Sequence, residues 1–184
     1  MLKRFKLKNY KNFKEEIVID FGNVAGYQFS VDCISDGLIT KMLVYGRNAT
    51  GKTNLGRAIM DIDSTMFAGP RFVGNGVFLN ADSTEDSAEF SYTFDFSGIE
   101  LIYQYARFSN QEIREEELII NGVTIFKCDF LNKKYNFDNL KHVEAETANV
   151  KIYLQALEGD ETTEDTIEPL SLIHISEPTR HSLI

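Results

Sequence analysis

Cysteine and histidine are scarce in this chain of 184 residues, which holds two of the first and three of the second. Cys33 and Cys128 stand alone, with no C-x-x-C pair and no histidine cluster beside them, so neither a disulfide framework nor a zinc site is indicated. No apolar run approaches the roughly 20 residues that span a bilayer. The N-terminus is basic, but charges interrupt every apolar pair, so it lacks the central apolar region of a signal peptide. The expectation is a cytoplasmic protein with no membrane contact. The base-recognition motif N-K-x-D of GTPases is missing too, and so are acceptor-binding residues of a small kinase.

What is present suffices for one domain with a proper core: 43% of residues are hydrophobic and 26% charged, ordinary values for a globular chain. The net charge is −9, unevenly spread. Lys3, Arg4, Lys6, Lys8, Lys11 and Lys14 crowd the first fourteen residues with no acid among them, so the remainder is more acidic than the total suggests. A basic arm can contact nucleic acid. The preferred reading is the solvent face of an edge strand, where lysine discourages unwanted pairing.

The centre of the chain is Gly46-Arg47-Asn48-Ala49-Thr50-Gly51-Lys52-Thr53, the G-x-x-x-x-G-K-[ST] pattern of a phosphate-binding loop. Glycine at 46 permits a sharp turn, and glycine at 51 lets backbone N–H groups approach phosphate oxygens. Lys52 supplies a mobile charge for the β- and γ-phosphates, and the Thr53 hydroxyl can ligate Mg²⁺. A helix starting here adds the positive end of its dipole. The flanks suit the motif: Lys41–Tyr45 reads as a short buried parallel strand, and Leu55, Ala58, Ile59 and Ile62 fall at helical spacing. ATP with Mg²⁺ is therefore the expected ligand.

Elsewhere, the stretch from Leu2 to Lys8 alternates apolar and basic from residue 4 onward and reads as a half-buried strand, residues 9–13 turn, and residues 16–21 form a second strand. Residues 22–37 read as loop, with a short strand near 27–31. Ala68-Gly69-Pro70 ends the helix. Residues 88–127 read as an antiparallel meander: Phe90, Tyr92, Phe94 and Phe96 share one face, and Asn121-Gly122 is a two-residue hairpin signal. That aromatic stripe could stack bases, but a sheet face against a core is the preferred use. A helix is expected near 148–157, while residues 158–168 carry six acids and no base and are expected to be unstructured.

Two stretches resemble a known family. The loop begins Gly46-x-Asn48 and is followed by Asn54, and it is preceded by Leu7-Lys8-Asn9-Tyr10-Lys11-Asn12-Phe13, similar to an "I-x-N-F-[RK]-S-F" opening. Together they resemble the ABC-type ATPase heads of the SMC, RecF and OLD (overcoming lysogenization defect) kind, above all bacterial AAA-type ATP-binding proteins of anti-phage systems. Glu89-Phe90, Phe94, Gly98, Tyr103, Tyr105 and Phe108 roughly match strands of that group. The resemblance implies an α/β P-loop NTPase fold: a mixed sheet, the loop helix and an antiparallel meander, as the first lobe of such a head. It also implies ATP hydrolysis in the intact protein, head-to-head pairing around two nucleotides, nucleic-acid contact through that protein, and Lys11 near the nucleotide.

The family's signature loop, its strand ending in Asp-Glu and its switch histidine are not visible, so no catalytic residue is assigned. The resemblance thus implies a truncated lobe over residues 1–157, then an acidic stretch over 158–169. Residues 170–184, beginning Leu170-Ser171-Leu172-Ile173-His174-Ile175, resemble a translated sequencing adapter, and a non-native, dispensable tail is expected there. The alternatives are a small P-loop kinase or GTPase, and a nucleic-acid-binding module using the basic N-terminal strand.

Overall fold

Alternation decides this fold. The computed structural model describes residues 1–26, 31–66, 78–110 and 112–139. Within them β1 (Leu2–Lys8) and β2 (Ile17–Asp20) pair as a hairpin, as the period-two pattern predicts. The meander follows as β5 (Ser87–Phe96), β6 (Ile99–Phe108), β7 (Ile113–Ile120) and β8 (Val123–Asp129), with a short edge strand β9 (Lys134–Asn136). These seven strands form one sheet in the order β2-β1-β5-β6-β7-β8-β9. A separate two-stranded hairpin joins β3 (Ile34–Ser35), which lies in the segment read as loop, to β4 (Leu38–Ile39), just beyond it.

The hairpin turns follow their chemistry. Asn121 and Gly122 both take positive φ, 47° and 78°, which suits a two-residue link between Ile120 and its partner Val123. Ser97 and Gly98 do the same between β5 and β6.

Register sorts the two faces. Phe5, Tyr92, Tyr103, Leu118 and Phe126 lie side by side across five strands, and all are buried. On the opposite face the neighbouring row is Lys6, Ser91, Gln104, Glu117 and Lys127. Against the apolar face lies α1 (Lys52–Met66), presenting the fully buried Ala58 with Leu55, Ile59, Ile62 and Met66. The stripe at 55, 58, 59 and 62 is where helical spacing puts it. Phe90 and Tyr92 are core residues, whereas Phe96 at the end of that stripe is exposed.

The expected fold class is corrected. Every strand pairing among the described residues is antiparallel, so they form a mostly antiparallel β-sheet with one α-helix on it, not a mixed-sheet α/β P-loop NTPase. The assignment to AAA- or ABC-type ATPases by a P-loop (Walker A) architecture falls with it. The physical reason lies at 41–45. That segment forms no strand, and Leu43 and Tyr45 are 86% and 89% exposed. A short apolar run satisfies the pattern of a buried parallel strand, but such a strand also needs parallel neighbours, and none stands among the described residues. The strand suggested near 27–31 falls mostly outside the described residues. The helix near 148–157, the acidic stretch and the adapter-like tail fall wholly outside them.

Candidate functional site

The loop at the head of α1 takes its shape from a few local bonds. Ala49 has φ 64° and Gly51 has φ 91°, so the chain reverses into left-handed geometry twice before the helix starts. Gly46 does not need that freedom; a Cβ there would rest at ordinary contact, 3.4 Å from the Thr50 hydroxyl. The Thr50 hydroxyl donates to the Arg47 carbonyl at 2.9 Å, and the Leu55 N–H donates to the Gly51 carbonyl at 2.8 Å to open the helix. The Lys52 ammonium folds back over the loop, donating to the carbonyls of Gly46 and Arg47 at 2.8 and 2.6 Å. It closes the loop like a clasp while remaining a donor at its mouth.

Around this loop is a cavity of about 350 Å³ lined by Asn12 and by residues 48–54. The structure thus gathers Asn48, Ala49, Thr50, Gly51, Lys52, Thr53 and Asn54, and places Gly46 and Arg47 under the lysine clasp. Lys11 is set differently: its ammonium lies 5.8 Å from the centre of its neighbour's ring, Tyr10, and it is not part of the cavity lining. Its neighbour Asn12 takes that place. Asn54 Nδ2 donates to Asn12 Oδ1, and a Cβ on Gly51 would sit 3.3 Å from both Asn12 Cβ and Phe13 Cζ. That crowding explains glycine at 51 apart from any ligand.

The lining holds one cation and no carboxylate, imidazole or aromatic ring. Such a site attracts an anion, and Lys52 is the one ionisable side chain among the described residues that line it. For Mg²⁺, Thr53 is the single hydroxyl at the helix head, so the other ligands of a bound ion would be phosphate oxygens and water. Among the described residues no group of three or more His, Cys, Asp or Glu could hold a metal by itself.

The helix carrying Lys52 and Thr53 is tied to the sheet by buried polar groups. Tyr92 donates to the Ala58 carbonyl at 2.7 Å, Tyr105 donates to Asp61 at 2.7 Å, and the two hydroxyls are 3.3 Å apart. Arg107, 1% exposed, reaches Asp61 at 3.4 Å and donates to Thr65. Burial raises the ionisation of Tyr92 and of Tyr105 above the ordinary tyrosine range. The sequence reading missed this network, although strand parity carries a signal for it: Arg107 follows Tyr103 and Tyr105 on the inward face of β6.

The basic N-terminal strand is largely neutralised. Lys3 meets Glu100 at 3.0 Å, Arg4 meets Asp20 at 2.8 Å, and Lys8 meets Glu85 at 2.6 Å. Among the described residues no helix is long and apolar enough to cross a membrane. No protein-family model matches the chain, and no curated protein matches it either, so what the site does is read from its own residues.

Proposed function

We propose that this chain binds the polyphosphate of a nucleoside triphosphate, ATP with Mg²⁺, in the loop formed by residues 46–53. The observation that carries the reading is the cavity lining: Lys52 above a left-handed glycine turn at a helix head, with no carboxylate to repel an anion. Lys52 exchanges its two loop carbonyls for phosphate oxygens, and the N–H groups of the first helical turn face the same charge. Thr53 contributes the protein's hydroxyl to Mg²⁺. The activity proposed is binding without turnover, because the lining supplies no base to orient a water. Cytoplasmic location, and pairing of two copies around nucleotide, belong to the same proposal. The ion pairs on Lys3, Arg4 and Lys8 weigh against the nucleic-acid alternative, since paired lysines release few counterions on binding.

Isothermal titration of Mg-ATP into the parent and into Lys52→Ala tests the reading. Binding by the parent and none by the variant is the expected result. Equal affinity in the two would remove the loop from consideration.

A further inference from the structure

The turn that faces the loop is built with more care than a solvated hairpin requires. Asn9, fully buried and at φ 53°, donates through Nδ2 to the Ser87 carbonyl at 2.8 Å and the Glu85 carbonyl at 3.2 Å. Tyr10 and Phe13 exchange backbone hydrogen bonds of 2.8 Å. Lys11, at φ 47°, donates its N–H to the Phe78 carbonyl at 3.1 Å and accepts from the Asn80 amide at 2.5 Å. Six hydrogen bonds therefore hold a backbone in which two non-glycine residues occupy the left-handed region. The residue this framework presents to the loop cavity is Asn12.

We propose that Asn12 is a ligand group of this site, its amide N–H donating to an oxygen of the bound polyphosphate, with Asn54 holding it in that orientation. The inference rests on the reading that the loop binds polyphosphate. Its own warrant is the pairing of the two amides. Asn54 Nδ2 donates to the carbonyl oxygen of Asn12, which turns that oxygen toward Asn54, and the NH₂ group is the donor Asn12 brings to an anion in the cavity. Both side chains line the same space as Lys52, and Asn12 comes from a separate segment of chain, packed beside the head of the helix. An anion seated there is met by two segments of chain: by the ammonium and helix head of one, and by a neutral amide on the anchored turn of the other. Asn54 is a positioning residue in this scheme and Asn12 a contact residue.

The test compares Mg-ATP and inorganic tripolyphosphate binding by calorimetry in the parent, Asn12→Ala, Asn12→Asp, Asn54→Ala and the Asn12→Ala/Asn54→Ala pair. Losing a donor to a charged oxygen weakens binding by about tenfold, and placing a carboxylate there weakens it further. The losses are expected to be equal for ATP and tripolyphosphate, with the melting temperature of the ligand-free variants near that of the parent. The double variant is expected to bind little worse than either single one, because the two amides act as a unit. Asn12→Asp binding ATP as tightly as the parent, while Lys52→Ala fails to bind, overturns the role of Asn12 and leaves the loop reading intact. A loss seen with ATP but not with tripolyphosphate overturns it as well, since the contact is then to base or ribose. A parent that binds neither ligand overturns both readings together.

Discussion

Tyr105 donates a 2.7 Å hydrogen bond to Asp61, and this bond joins the second strand of the meander to the middle of the loop-bearing helix. Asp61 also answers the charge of Arg107 at 3.4 Å, inside an otherwise aromatic face. Two consequences follow for the site. The helix head is held at a fixed height on the sheet, and the polar bonds give it one seating where apolar packing alone would tolerate sliding.

Removing Asp61 leaves Arg107 buried without this carboxylate. Breaking a buried pair in this way typically costs about 3–5 kcal/mol, whereas an exposed pair such as Lys3 with Glu100 contributes little. Asp61→Ala is therefore expected to lower the urea midpoint strongly, and Lys3→Ala hardly at all. Equal midpoints for the two variants would show that the buried pair has no special weight.

Alkaline pH is expected to unfold the protein. Burial, with a smaller contribution from the Asp61 charge, pushes Tyr10 up to about 12, and burial pushes the Cys128 thiol up to about 12 with the Glu116 charge adding to it. Burial raises Tyr92 and Tyr105 too. All four groups are neutral when protonated, and their ordinary values are 9.0 for the thiol and 10.0 for the tyrosines. Below about pH 9 both states keep these protons, and the contribution is fully present. Above it the unfolded chain sheds protons that the folded chain retains, so stability falls as pH rises toward about 12. Denaturant midpoints followed from neutral pH upward, beside tyrosinate absorbance, check this. A midpoint flat through the tyrosine range would contradict the burial of these rings.

Gly122 sits at φ 78° with nothing within 4 Å of a Cβ built there, so space is not its constraint. Its backbone is. Gly122→Val puts a β-branched side chain into left-handed geometry at a cost of about 1–3 kcal/mol. The expected result is a lower melting temperature with unchanged ATP affinity, because the hairpin lies on strands remote from the loop in the sheet order. Restored stability in Gly122→Asn would tie the loss to the backbone angle.

Local pattern made much of this molecule legible. Alternation placed β1, β2 and the meander, Asn121-Gly122 placed a turn, and the stripe at 55, 58, 59 and 62 placed the helix against the sheet. The loop residues 48–54 do come together around one cavity. Sheet direction was not legible, because an apolar run such as 41–45 carries no record of whether neighbours exist to cover it. Asn12 was missed because nothing in its own neighbourhood distinguishes it from a solvated turn residue. Its role comes from Asn54, distant in sequence and adjacent in space. Arg107 and Asp61 were missed for the opposite reason: parity does point Arg107 inward, but charge argues for the surface, and only the partner resolves the conflict.

Base identity should matter little to this site. The cavity lining offers asparagine amides, hydroxyls, backbone and one ammonium, and none of these residues is aromatic. Stacking a base on an aromatic ring is worth about 1–3 kcal/mol, which is up to about a hundredfold in affinity. A lining without such a ring gives that energy to neither purine, so ATP and GTP are expected to bind within about threefold of each other. Most of the free energy then comes from charge, so binding should weaken steeply with added salt, as it does for a site exposed to solvent. Competition titrations of ATP, GTP and tripolyphosphate at two ionic strengths make the measurement. ATP binding tenfold or more tighter than GTP would mean that a base pocket exists beyond the residues lining this cavity, and the site would have to be redrawn to include it.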